Sequence, residues 1–314
     1  MSAPVLVENV FEAPDDRASW LKARRSYGVG ASELPAVLGV DERRGSLAIY
    51  AKKVVEGNDD EGEDEDDPRF WGRMFEEPVA QWYAQKTGRV VTNPGAFAIM
   101  RHPTAPLFAT LDRDVFDPAR PDADTENRGG LGVLECKAVS VYGPLDQWRS
   151  EPPLCYQVQL QAQLAVTGRA WGSIAAVLGG TRPVFFDFER NDRFIAAALV
   201  AVEQFWERVE RRDPPPPDGT RETVEAIKQL WPEDSGQTIT LPDLALVAEW
   251  EAAKEASRKA EAVQRDVESR IKSVMQEATW AALTDGRKVQ WKVEPRKGHV
   301  VEASRPRVLR LIKK

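Results

Sequence analysis

Four consecutive prolines, Pro214 to Pro217, most constrain what this chain can fold into. Each lacks a backbone N–H and fixes φ, so neither a helix nor a central strand can run through them. "DPPPPDG" (213–219) therefore reads as a stiff linker. The pattern predicts a domain over 1–212, a Pro-rich linker over 213–222, and a helical arm with a basic strand region over 223–314. The chain has 314 residues, enough for a sizeable core.

The first segment mixes helix and strand signals. "ASELPAVLG" (31–39) predicts a short helix closed by Gly39, and "WGRMFEEPVAQWYAQKTG" (71–88) a longer one stopped at Gly88. "GAFAIMRH" (95–102), "LFATLDRDVFD" (107–117) and "GVLECKAVS" (132–140) read as strands, with a turn-rich loop over 118–130. "YQVQLQAQLAVTG" (156–168) follows as a helix. A strand pair comes next around Gly179–Gly180, then an amphipathic helix over 192–212. That order implies an α/β fold with a mixed central sheet flanked by helices. Residues 243–280 are rich in Ala, Glu, Lys and Arg and predict a long helix, and 283–294 a turn and strand.

Two cysteines and two histidines exclude a Cys/His zinc site and a four-cysteine cluster from this chain alone. Any metal would need oxygen ligands. No apolar run approaches the ~20 residues of a membrane span, and no signal peptide is evident, so a cytoplasmic protein is expected. The net charge of −7 argues at first against a nucleic-acid partner. Yet "DDEGEDEDD" (59–67) holds eight acidic residues, and the chain without them stands at +1. This run reads as a solvated loop. Residues 285–314 carry ten Lys/Arg against three Asp/Glu, a basic tail suited to phosphates.

The strand 131–139 carries the chemistry. Alternation puts Glu135 and Lys137 on one face, beside Val133 and Val139. An ion pair placed there only for stability gains little, because desolvation offsets the attraction. A second carboxylate and a divalent ion make sense of the arrangement. Asp112, in "FATLDRD", ends a strand able to pair with 131–139, and Asp114 competes for the same role. Two carboxylates and a lysine on adjacent strands form a hard-oxygen site suited to Mg²⁺.

The spacing Asp112 … Glu135-Cys136-Lys137 resembles the PD-(D/E)XK nuclease signature. In order, "VGASELPAVLGV", "WGRMFEEPVAQWYAQKTG", "HPTAPLFATLD", "GVLECKA", "QLQAQLAVTG" and "FWERVERRDPPPP" resemble the YqaJ / lambda-exonuclease family of phage recombination nucleases, over roughly residues 18–217. The resemblance implies a restriction-endonuclease-like core with a mainly helical C-terminal extension. It implies that Asp112, Glu135 and the Cys136 backbone carbonyl bind a catalytic Mg²⁺ (Mn²⁺ as the substitute), and that Glu76 helps bind a second ion. Lys137 would orient or activate water and offset charge, supported by Gln159. Arg24 and Ser32 would bind a terminal 5′-phosphate. Glu77 and Gln161 are the alternatives to Glu76 and Gln159. For Arg24 and Ser32 the alternatives are a surface cation and a helix N-cap. The family usually has Ser-Pro-Asp-Gly at its aspartate, where this chain has Thr110-Leu111-Asp112-Arg113. Arg113 would contact DNA or be solvated.

The implied activity is 5′-to-3′ exonuclease action on linear double-stranded DNA, leaving 3′ single strands for phage-type recombination. A single-strand annealing protein would be its partner, with a homo-oligomer around DNA and a phage or prophage origin in a bacterial host. The competing readings are a structure-specific or nicking endonuclease and a binding module whose site has decayed.

Overall fold

The computed structural model describes residues 10–12, 14–55, 68–95, 97–120, 129–241, 243–295 and 307–311. The acidic run 59–67, the middle of the 118–130 loop and much of the basic tail lie outside them. The chain divides into two compact units, Met1–Pro232 and Glu233–Lys314. The Pro-rich stretch lies within the first. Among the described residues no helix is long and apolar enough to cross a membrane.

In the first unit the order is β1 (Val10–Glu12), α1 (Arg17–Ser26), β2 (Val29–Gly30), α2 (Leu34–Val37), α3 (Ser46–Val54), α4 (Pro68–Thr87) and β3 (Val90–Thr92). Then come β4 (Ile99–Arg101), β5 (Leu107–Ala109), β6 (Arg113–Phe116), β7 (Leu131–Val139) and α5 (Leu154–Thr167). The unit closes with β8 (Trp171–Leu178), β9 (Arg182–Glu189), α6 (Asp192–Arg211) and α7 (Arg221–Leu230). The expected mixed sheet is present as five strands in the order β3-β6-β7-β8-β9, with β7 and β8 parallel and the other pairs antiparallel. A four-stranded sheet, β1-β4-β5-β2, stands beside it in the sequence.

Strand β7 is central, and its alternating side chains enter two different cores. Leu134 and Cys136 pack with Val79, Ala80 and Tyr83 of α4. Val133 packs with Val158 and Leu160 of α5. Gly132 allows the close approach of Trp171, whose ring would lie 2.4 Å from a Cβ there. Gly168, at φ 71°, ends α5 in the left-handed conformation that glycine tolerates best.

The stretch 107–117 is not one strand. β5 ends at Ala109 in the four-stranded sheet and β6 starts at Arg113 in the five-stranded one. Leu111, 8% exposed, is drawn into the core between them. With no Gly or Pro between Leu107 and Asp117, nothing in the sequence marks this change of sheet.

In the second unit α8 (Leu244–Met275) is shorter than the predicted 243–280 helix. A hairpin of β10 (Trp280–Ala282) and β11 (Lys288–Gln290) follows it.

Candidate active site

Asp112 sits in the break between two sheets, not within a strand as expected. β6 and β7 pair from Phe116–Leu131 to Arg113–Leu134 and no further, whereas β7 stays paired with β8 out to Val139–Leu178. Among the described residues, one edge of β7 therefore has no strand partner from Glu135 onward. There the Asp112 carboxylate accepts the Cys136 backbone N–H at 2.8 Å. The N–H and C=O of one strand residue point to the same edge, so the Cys136 carbonyl faces this opening too. The Cys136 side chain points the other way, into the core under α4. Burial, then Asp112 and Glu135, push its thiol well above the usual range.

Glu135 is only 1% exposed. Its Oε1 accepts from Gln159 Nε2 at 2.6 Å and lies 2.5 Å from Lys137 Nζ, while its Oε2 accepts from Gln163 Nε2 at 2.5 Å. The sequence offered Gln157, Gln159, Gln161 and Gln163 as a cluster, with Gln159 ranked first, Gln161 next and no role given to Gln163. Gln159 and Gln163 are four residues apart, one helical turn, so the spacing held that signal. Gln161, the alternative, instead donates to the Glu189 carbonyl and accepts from the Asn191 N–H, tying α5 to the end of β9.

The carboxylates outnumber their compensating charges. Burial pushes Asp112 well above the usual carboxylate range, and Glu135 and Glu76 push it further. Lys137 and the Cys136 N–H only partly oppose them. Glu76 is likewise raised, by burial and by Glu135, against the pull of Arg113. For Lys137, burial favours the neutral amine, but Glu135 and Asp112 more than reverse this and hold it as an ammonium.

The competing residues take other partners. Asp114 pairs with Arg169 at 2.6 Å. Glu77 lies 2.9 Å from Arg113 and accepts from Gln81. Arg113 is neither solvated nor free for DNA: it is buried, lies 3.7 Å from Glu76, and donates to the Asp112 carbonyl.

Arg24 and Ser32 open into the same cavity as Glu76, Asp112, Glu135, Cys136, Lys137 and Gln159, a space of about 800 Å³. The Arg24 guanidinium lies 4.3 Å over the Trp20 ring. Ser32 presents its carbonyl to Arg44 at 2.8 Å, and Arg44 is held by Asp41. Glu33 anchors this wall: it accepts the Gly30 N–H and pairs with Lys53, both at 2.7 Å, and Lys53 donates to the Arg24 carbonyl. Arg25, Arg43, Lys52, Arg69 and Arg73 also line the cavity, where cations outnumber carboxylates. The Arg43–Arg44 and Lys52–Lys53 doublets were visible in the sequence but went unassigned.

Among the described residues no three His, Cys, Asp or Glu side chains gather as a ready metal-holding group. The donors that fit a hard cation are the Asp112 and Glu135 carboxylates with the Cys136 carbonyl, and Glu76 close enough to raise Asp112. A buried excess of negative charge on oxygen is the feature a divalent cation would relieve.

Residues 19–170 match the model of the YqaJ-like viral recombinase domain. The chain is 26% identical over 289 residues to the uncharacterized protein YqaJ of Bacillus subtilis (strain 168), covering 90% of this chain and 84% of that one. It is similar to the alkaline exonuclease LHK-Exo of Laribacter hongkongensis, with 22% identity, 63% and 94% of the two chains covered, and a TM-score of 0.48. It is also similar to a phage-related exonuclease of Haemophilus somnus 129PT, with 12% identity, coverage of 59% and 96%, and a TM-score of 0.41.

Proposed function

With residues 19–170 belonging to the YqaJ-like viral recombinase family, we propose that this chain is a metal-dependent exodeoxyribonuclease. It degrades linear double-stranded DNA from the 5′ end and leaves a 3′ strand for annealing by a single-strand annealing protein. The supporting observation is the meeting, in one basic cavity, of over-supplied buried carboxylates, an ammonium, and a separate cationic wall at Arg24.

Asp112, Glu135 and the Cys136 carbonyl would hold a Mg²⁺ ion, and Glu76 would help hold a second. When bound, such ions acidify a water and offset charge on the leaving oxygen. Gln159 and Gln163 fix both oxygens of Glu135, so the carboxylate does not reorient during turnover. Lys137, kept as an ammonium, offsets charge on the phosphoryl oxygens in the transition state. Arg24, stacked on Trp20 and backed by the Glu33–Lys53 pair, receives the terminal 5′-phosphate with Ser32. Basic side chains around the cavity mouth attract the duplex backbone.

The test is degradation of linear duplex with Mg²⁺, comparing 5′-phosphorylated ends, 5′-hydroxyl ends and a closed circle. Loss of the phosphorylated linear substrate alone, abolished by Asp112→Ala and by Lys137→Ala, is the expected result. Cutting of the circle would replace this reading by an endonuclease. Binding without cleavage in Mg²⁺ or Mn²⁺ would replace it by a binding module.

A further inference from the structure

We propose that Tyr156 is a positioning residue for Lys137, its ring holding the ammonium in place beside Glu135. The inference deepens the nuclease reading above and rests on it. Tyr156 stands in the first turn of α5, three residues before Gln159 and seven before Gln163. On a helix that spacing lays the three side chains along one stripe. Gln159 and Gln163 fix the two oxygens of Glu135, and Tyr156 meets the other charged residue of β7. One stripe of α5 thus serves both Glu135 and Lys137.

Lys137 Nζ lies 2.5 Å from Glu135 Oε1 and 5.1 Å from the centre of the Tyr156 ring. An aromatic face attracts a cation at this range, and more strongly where water is excluded. The carboxylate contact is shared, because the same Oε1 accepts from Gln159. Glu135 is also one of the groups assigned above to a divalent cation. The ring belongs to neither set, so its hold on the ammonium does not depend on what Glu135 binds. Lys137 is 22% exposed, toward the cavity that it lines. A four-carbon stem with a single support would be free to swing there.

The ring is itself held from behind. Trp148, 1% exposed, lies 5.4 Å from it between ring centres, tilted by 35°. Phe186 of β9 lies 6.5 Å from Trp148 in turn. Trp148 ends a short 3-10 turn, Leu145–Trp148, in the connection from β7 to α5. β7 pairs in parallel with β8, so the chain must cross over between them. That crossover leaves β7 just after Lys137 and returns, through Trp148 and Tyr156, to face the same lysine. The support of the ammonium is thus built into the connection that the sheet requires.

Two measurements on the full chain test this. The first is NMR of lysine-labelled, metal-free protein. The ε-methylene protons of Lys137, assigned through Lys137→Arg, resonate upfield of those of the other lysines because an aromatic face lies beneath them. Tyr156→Phe keeps that shift and Tyr156→Leu loses it. The second is initial rates on linear duplex with Mg²⁺. Tyr156→Phe stays within about twofold of the wild type, while Tyr156→Leu lowers kcat about tenfold and leaves KM within about twofold. Placed on Lys137→Ala, Tyr156→Leu costs nothing further, since the group that it positions is gone. Equal losses in the Phe and Leu variants, a change confined to KM, or a further loss on Lys137→Ala would each overturn the proposal. So would unshifted Lys137 protons in the wild type, a result that needs no variant to fold. A wild type that degrades no duplex in Mg²⁺ or Mn²⁺ would overturn the nuclease reading, and the positioning role with it. Degradation at full rate by Tyr156→Leu would overturn the positioning role alone.

Discussion

Two charge clusters share the five-stranded sheet, one half-exposed and one buried, and they are built to opposite rules. Beside Tyr83 of α4, Arg89 donates Nη1 and Nη2 to both oxygens of Asp187 at 2.8 and 2.7 Å, and its Nε to Asp117 at 2.8 Å. Tyr83 and Ser173 close the network, and the guanidinium lies 4.8 Å from the Trp171 ring. At the open edge of β7, Glu76, Asp112 and Glu135 stand near a single lysine and Arg113, whose guanidinium is shared with Glu77. Burial raises a carboxyl in either setting, but Arg89 more than reverses this at Asp187 and leaves it lowered, while nothing reverses it at Asp112. Saturated charge makes a fastener. Unsaturated charge, kept at a cost in stability, makes a place for something that arrives from outside.

The comparison can be broken at either cluster. The largest expected effect is at the unsaturated one: Lys137→Ala or Glu135→Gln lowers the rate of duplex degradation by about 10³-fold, with a small change in melting temperature. Arg89→Ala does the reverse. It removes the cation shared by Asp187 and Asp117 and costs about 1–2 kcal/mol in chemical denaturation, while activity per folded molecule holds.

Asp112→Asn sharpens the contrast further. It removes a repelled buried carboxylate, so the metal-free protein gains on the order of 1 kcal/mol, activity is lost, and added Mg²⁺ no longer raises the melting temperature.

The pH dependence carries opposite signs at the two aspartates. The lowered Asp187 contributes stability that is present above the unfolded value of about 3.9 and is lost as pH falls through its depressed folded value. The raised Asp112 costs stability at neutral pH, and metal-free protein recovers this as pH falls through the raised value. Urea titrations of Asp187→Asn and Asp112→Asn across pH 3–8 separate the two. The smallest effect belongs to Gln163→Ala, which frees one oxygen of Glu135 and slows degradation about tenfold, seen in initial rates with the fold intact.

How much of this was legible in the sequence depends on the range of the interactions. Glu135 and Lys137 could be placed on one face because alternation along a strand is a local rule. Gln163 could have been placed, since four residues from Gln159 is one turn of α5. The break at Thr110–Asp112 could not: "LFATLDRDVF" contains no Gly or Pro to mark an interruption, and only the burial of Leu111 between two strands of different sheets divides it. The Glu33–Lys53 pair joins segments twenty residues apart, and Arg89, between α4 and β3, joins α4, β8 and β9. Such meetings are decided by the packed fold, not by any local periodicity.

Residue 136 lends the cleft only its main chain, while its side chain is filed under α4 with Val79, Tyr83 and Leu134. The two duties are separable. An apolar exchange of fitting size at this position, Cys136→Ala or Cys136→Val, is a question for the hydrophobic layer and leaves Asp112, Glu135 and Lys137 where they stand. The interior beneath this strand can thus be retuned at residue 136, one letter at a time, without moving the backbone groups that line the cleft.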